Sequence, residues 1–155
     1  MKRTLAFVAI IFIVFSAAAC SKKTPPSQAA VQAQGALLTL RDLTGAYEKK
    51  QLSSFMDKVS KDYPNRQAFS QSVAALFTKY DTIRFTVQYT KMVVMIDEKA
   101  NMKMTFNWDG EWQTTGGKIV KDGGGVSFIF DPKGARLLSL EGKNPFVPQE
   151  GQGKQ

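Results

Sequence analysis

At Asp81 the apolar residues of this chain change period, and that change narrows the available folds more than any other feature. Before it, Leu37, Leu40, Leu43 and Tyr47 recur at three- and four-residue steps, which puts them on one face of a helix. After a break at Lys49-Lys50-Gln51, Leu52, Phe55, Met56 and Val59 repeat the stripe. Pro64 ends it, because proline lacks the amide that a helix interior needs. Asn65 is suited to cap a third helix carrying Phe69, Val73, Leu76, Phe77 and Tyr80.

Beyond Asp81 the period is two. Ile83, Phe85, Val87 and Tyr89 alternate with polar residues, as in a strand with one wet face. Parity then flips to Met92, Val94 and Ile96, so either a bulge near Thr90-Lys91 re-aims the strand or a new one begins. A turn is expected at 97–101. Met102, Met104, Phe106 and Trp108 alternate next, and Asp109-Gly110 is a hairpin signal with Trp112 beyond it. Gly116-Gly117 and the glycines at 123–125 punctuate a further strand around 118–121. Val126, Phe128 and Phe130, a turn at 131–134, and a last strand starting at Leu138 and Leu140 complete the pattern. Helices first and an antiparallel meander second predict an α+β domain, with N-terminal helices packed on a curved sheet.

The run YEKKQLSSFMDKVSKDY, then a helix, a strand opening DTIRF and an ending LLSLEGKNPF resemble the nuclear transport factor 2-like family. The resemblance implies a cone in which a bent sheet wraps around helices, and it covers most of residues 36–146. Many members insert a strand pair before the third helix, whereas Pro64-Asn65 leads almost directly into it here. A smaller sheet and a shallower pocket are therefore expected.

The start of the chain concerns location. Lys2 and Arg3 precede an apolar run over 5–15, followed by Ser16-Ala17-Ala18-Ala19-Cys20. A positive head, an apolar middle and a small-residue exit form a secretory signal. The run is too short to cross a bilayer core, which takes about 20 residues. Cys20 is the only cysteine, so it has no intramolecular disulfide partner. Its position resembles the lipobox of bacterial lipoproteins, although Ala17 stands where that motif usually has Leu. The resemblance implies cleavage before Cys20, a diacylglycerol on its thiol and a lipid bilayer as partner. By resemblance to Gram-negative lipoproteins, Ser21, where Asp would signal retention, implies the outer membrane facing the periplasm; in a Gram-positive cell the anchor would be the cytoplasmic membrane. The expected organisation is a signal over 1–19, lipidated Cys20 with a flexible tether over 20–35, a domain over 36–146 and a disordered tail over 147–155.

Removal of 1–19 leaves 19 basic residues against 13 acidic ones, a formal charge of +6. An exported chain rarely meets nucleic acid, so no nucleic-acid partner is expected. The absence of histidine excludes Ser-His-Asp and Cys-His catalysis and His-based zinc sites. GGKIVKDGGG lacks the spacing of a nucleotide-binding loop, and Asp97, Glu98 and Asp122 are too scattered for calcium, so no cofactor or metal is expected. Asp81, Asp97 and Asp109 are explained by junctions and turns. The candidate pocket lining is aromatic: Tyr47, Phe55, Phe77, Phe85, Phe106, Trp108, Phe128 and Phe130. Such a wall would suit a small apolar ligand, and Met92, Met95, Met102 and Met104 would make it adaptable. The function expected is non-enzymatic binding or scaffolding in the envelope. The alternatives are an acid/base enzyme in the same fold and an accessory subunit of an outer-membrane complex.

Overall fold

The computed structural model describes residues 27–148. The expected signal, Cys20 and the tail over 149–155 lie outside them. Three helices, α1 (Gln28–Glu48), α2 (Leu52–Asp57) and α3 (Arg66–Lys79), precede five strands. The strands are β1 (Thr82–Val87), β2 (Val93–Ile96), β3 (Met102–Gln113), β4 (Ile119–Phe130) and β5 (Leu137–Gly142). They form one antiparallel sheet in the order β1-β3-β4-β5, with β2 also paired to β3. The helices cover one face, and the architecture is the expected α+β. No helix among the described residues is long and apolar enough to cross a membrane.

Helix α1 starts earlier than its apolar period indicates. Ser27 caps it by accepting from the Ala30 amide at 3.2 Å, so residues 28–35 are helix and the expected tether is shortened. The reason is tertiary. Gly35 lets the helix close on the turn after β4, where an added Cβ would stand 2.8 Å from the Lys133 carbonyl. Gly134 answers from the turn at a φ of 65°, and Thr39 donates to its carbonyl at 2.7 Å. Two glycines thus give α1 a contact that replaces the missing apolar stripe.

Asn65 precedes α3 but does not cap it with its side chain. Its backbone is left-handed (φ 51°, ψ 38°), a conformation Asn tolerates, in place of the extended one usual for a capping residue. Between α2 and α3 the chain makes a single parallel bridge, Val59 to Leu137, in place of a strand pair. Parity in β5 also differs from expectation. A register shift between Ile129 and Phe130 puts Leu137 in the core opposite Phe130, while Leu138 is only half-buried.

The parity flip after Val87 is a break between strands. β1 pairs with residues 108–113 of β3 and β2 with residues 102–105, so both run along the same edge of β3. A 3-10 turn at Tyr89–Lys91 joins them and leaves Tyr89 exposed, off the apolar stripe expected for it.

Asp109-Gly110 is not a hairpin. β3 and β4 pair without interruption from Met102 opposite Phe130 to Gln113 opposite Ile119, and the turn lies at 114–117. Gly110 serves space rather than a turn. The buried indole of Trp112 folds back over it, so that a Cβ on Gly110 would lie 2.2 Å from the ring. The glycines at 123–125 likewise lie within β4, opposite Asn107, Trp108 and Asp109.

The outer face of the sheet is polar. Glu111 takes Arg84 at 3.2 Å from β1 and Lys121 at 3.0 Å from β4, and these cations hold its carboxyl below the usual range, Lys121 more than Arg84. Thr105 and Ser127 share a hydrogen bond at 2.7 Å. Gly110→Ala is expected to cost about 1–3 kcal/mol by overpacking against Trp112. Urea unfolding of the single variants and of Gly110→Ala/Trp112→Phe tests this. The double variant should lose less than the sum of the two, and strict additivity would show that the ring does not need the glycine.

Candidate functional site

The eight aromatic residues expected to line a pocket converge inside the cone, and all are buried. α1 supplies Tyr47 in its last turn, α2 supplies Phe55 and α3 supplies Phe77. The strands supply Phe85, Phe106, Trp108, Phe128 and Phe130 from their inward-facing positions. These rings meet one another. Phe106 and Phe128 have centroids 5.0 Å apart, Tyr47 and Phe77 5.5 Å, and Phe85 stacks on Trp108 at 5.6 Å.

At the centre stands Phe146, from the segment after β5. It is fully buried, with Phe55 at 4.9 Å, Tyr47 at 5.0 Å, Phe128 at 5.7 Å and Phe85 at 5.8 Å. Ring separations of this kind are packing distances. Phe146 therefore fills the centre of the interior with a ring of the chain itself.

One polar chain crosses this interior. The Trp112 indole donates to the Tyr47 hydroxyl at 2.8 Å, and that hydroxyl donates to the Phe146 carbonyl at 3.1 Å. Burial pushes the Tyr47 phenol far above its ordinary value, against the smaller opposing effect of the Trp112 hydrogen bond. With its proton held there, Tyr47 has no free donor for general acid work. The Trp108 indole nitrogen is buried with no hydrogen-bond partner among the described residues.

Outside the core, two shallow hollows flank the end of the described chain on the surface of α3. One, of about 430 Å³, is lined by Tyr63, Asn65, Phe69 and Asn144; the other, of about 310 Å³, by Ala75, Leu76, Lys79 and Tyr80. Ser72, Val147 and Pro148 border both. Val147 and Pro148 are half-buried against α3, so the expected tail over 147–155 is ordered at its start. Tyr63 stacks on Phe69 at 4.8 Å, and burial raises its phenol to about 12.

The acidic residues nearest the strands do not enter the cone. Asp81 is exposed, and its amide donates to the Gln113 carbonyl at 2.8 Å. Asp109 is exposed and accepts from the Gln88 amide at 2.9 Å. Asp97 accepts from the Asn101 side chain at 3.0 Å and from the amides of Asn101 and Lys99 at 2.8 Å each. Those bonds, led by the Asn101 side chain, hold its carboxyl below the usual carboxylate value. Among the described residues no three acidic side chains come together as metal ligands would.

Sequence reasoning missed Phe146 and Trp112 as parts of this interior, and it placed Phe69 on the apolar stripe of α3 without adding it to the lining. Trp112 shares the even parity of Met102 to Trp108, a signal masked by treating Asp109-Gly110 as a turn. Phe146 follows Pro145 outside any periodic run, and nothing local marks it.

No family model matches the chain, and no curated protein matches it in sequence. Its backbone is similar to solved structures. One is a Novosphingobium aromaticivorans protein proposed to be an aromatic ring hydroxylase, with a TM-score of 0.62 at 11% identity, covering 70% of this chain and 85% of that one. A nuclear transport factor 2-like superfamily protein from Salmonella enterica matches at 0.58 and 8% identity, covering 79% and 98%. The BvnE pinacolase from Penicillium brevicompactum matches at 0.53 and 10% identity, covering 70% and 84%. The fold is nuclear transport factor 2-like. At these identities the likeness concerns the fold and carries no activity.

Two expectations follow. Phe146→Ala should cost about 3–5 kcal/mol, as large-to-small changes at fully buried aromatic positions do. Benzene or indole should then bind the vacated space and recover part of the loss in melting temperature. A loss below about 1 kcal/mol, with no binding, would show that the ring is not central. Because Asp97 is depressed in the folded state, its contribution is complete above the ordinary carboxylate value and fades as pH falls through the lower folded one. The protection factors of the Lys99 and Asn101 amides, taken relative to intrinsic exchange at each pH, should fall over that acid range, and Asp97→Ala should remove that fall.

Proposed function

We propose that this chain is a membrane-anchored envelope lipoprotein whose nuclear transport factor 2-like domain works by binding or scaffolding rather than by catalysis. The observation that carries the anchor is Cys20, the only cysteine, placed directly after Ala17-Ala18-Ala19 at the end of the apolar run. Thioether-linked diacylglycerol plus an acylated amino terminus would hold the chain firmly, since each buried methylene contributes about 0.8 kcal/mol. Seven residues separate Cys20 from the start of α1 at Gln28. Fully extended they reach about 25 Å, so the domain would work close to the bilayer. Ser21 favours the outer membrane facing the periplasm.

The non-catalytic part of the proposal rests on the interior. An acid/base site of an isomerase or dehydratase kind needs a carboxylate facing a phenol in an open cavity. Here the buried phenol of Tyr47 is held between Trp112 and Phe146, and Asp81, Asp97 and Asp109 face solvent. The enzymatic alternative draws on the pinacolase and the proposed hydroxylase among the similar folds. A small apolar ligand in the cone would have to displace the Phe146 ring. The accessory-subunit reading is favoured by the exposed apolar strand β2, where Val93 to Ile96 are each more than two-fifths open to solvent.

Intact mass and membrane fractionation of the chain from a bacterial host, beside Cys20→Ala, test the anchor. Wild type should carry a diacylglycerol and an acyl chain on Cys20 and pellet with membranes, while the variant should accumulate unlipidated. Cleavage without lipid, or a retained leader, would overturn it.

A further inference from the structure

Exposed apolar surface gathers at one end of the sheet. The register sets Ile96 opposite Met102 and Met102 opposite Phe130, so the turns at 97–101 and 131–134 share that end. β2, Val93–Ile96, is the edge strand there, exposed by 54, 42, 52 and 44% in sequence order. It pairs with β3 on one side and with no described strand on the other. Val31, Leu37 and Leu38, also exposed, lie on α1 within four residues of Gly35, the glycine that closes on the 131–134 turn. Four on β2 and three on α1 make seven of the nine exposed large apolar side chains among the described residues. Tyr89 lies between the ends, and Ile119, paired with Gln113, marks the opposite one.

We propose that β2 is a bilayer-contact edge: the domain rests this end on the lipid surface, with the side chains of Val93–Ile96 among headgroups and upper acyl chains. The inference rests on the reading of Cys20 as the anchor. At the end of α1, Tyr47 accepts from Trp112 and Glu48 accepts from the amide of Phe85, which lies opposite Gly110, whereas Gly35 meets the 131–134 turn. Helix α1 therefore points its start toward the β2 end of the sheet. Its first seven residues carry Gln28 about 10 Å past that turn, at about 1.5 Å per residue. The tether from Cys20 adds a reach of about 25 Å. Gln113, beside Ile119, stands eleven residues along β3 from Met102, about 37 Å at about 3.4 Å per residue. An anchored Cys20 thus lets β2 reach the bilayer and keeps the far end from facing it. Held within that radius, the edge meets lipid at a high effective concentration, and a small apolar contact suffices.

Both faces of β2 are open. Val94 and Ile96 continue the inner face of Met104 and Met102, while Val93 and Met95 continue the outer one. Another strand would pair the backbone and leave both faces uncovered, whereas fluid lipid covers both. At headgroup depth water still serves the unpaired amides and carbonyls of the edge, which the hydrocarbon core would not.

The test uses the full chain from a bacterial host, reconstituted in phosphatidylcholine vesicles whose lipids carry a nitroxide near the top of one acyl chain. Lipid on Cys20 blocks its thiol, so Met95→Cys and Ile119→Cys each offer one free cysteine for a fluorophore, and wild type should take none. Quenching by the nitroxide should be at least about threefold stronger at 95 than at 119, because only the first label enters the acyl boundary. Adding Val93→Asp to Met95→Cys, with an unchanged circular dichroism spectrum, should lower quenching to the level at 119, since a charge resists leaving water. Equal quenching at 95 and 119, or quenching at 95 that survives Val93→Asp, would overturn the inference and leave the anchor intact. A label at 95 shielded from both the lipid nitroxide and aqueous iodide would also overturn it, assigning the strand to another protein or a second copy. An intact mass without lipid, or a labelled wild type, would overturn the reading of Cys20 and this inference with it.

Discussion

The Tyr47 hydroxyl joins three parts of the chain that lie far apart in sequence: the end of α1, the Trp112 indole of β3 and the Phe146 carbonyl beyond β5. Each polar group at this point is buried, and a buried donor or acceptor without a partner costs about 1–3 kcal/mol. The arrangement therefore works as a unit. Tyr47 satisfies the indole, the hydroxyl proton satisfies the carbonyl, and the carbonyl places Phe146 among the rings. Moving any one of them would leave another unpaired in the core. Helices, sheet and closing segment are held in one relative position by these two hydrogen bonds and by the aromatic contacts around them.

Glycine placement is what allows the rings to meet. Trp112 reaches the Tyr47 hydroxyl only by lying across its own strand, over a residue without a Cβ. On the far side of the molecule, Gly35 and Gly134 bring α1 against the turn after β4, which fixes the start of the helix bearing Tyr47. Both arrangements are close approaches between elements. The first does not require the turn that Asp109-Gly110 signals when read locally, and the second uses Gly134 within the expected turn at 131–134.

This explains which parts of the structure are legible in the sequence. The three helices and the strands carrying Ile83 to Val87, Met102 to Trp108 and Val126 to Phe130 follow from side-chain period, because each buries one face. The eight expected aromatic residues do gather in the interior, for the same reason. What fails is whatever depends on partners distant in the chain. Asp109-Gly110 reads as a hairpin because nothing local shows that an indole two residues on needs the space. The beginning of α1 reads as tether because its partner is a turn about a hundred residues later. Phe146 has no periodic neighbours, so its burial is visible only once the cone has closed around it.

The filled cone bears on function through what it removes. In this fold an open interior gives a ligand enclosed apolar walls and a few aimed polar groups. Here the walls touch each other, the central position belongs to the chain itself, and the Tyr47 hydroxyl is occupied at both donor and acceptor. The surface, by contrast, is polar across the outer sheet and apolar along β2. Natural sheets usually protect such an edge with lysine, proline or a covering segment. β2 has none of the first two within it, and its charges stand just outside the apolar run, at Lys91 and Asp97.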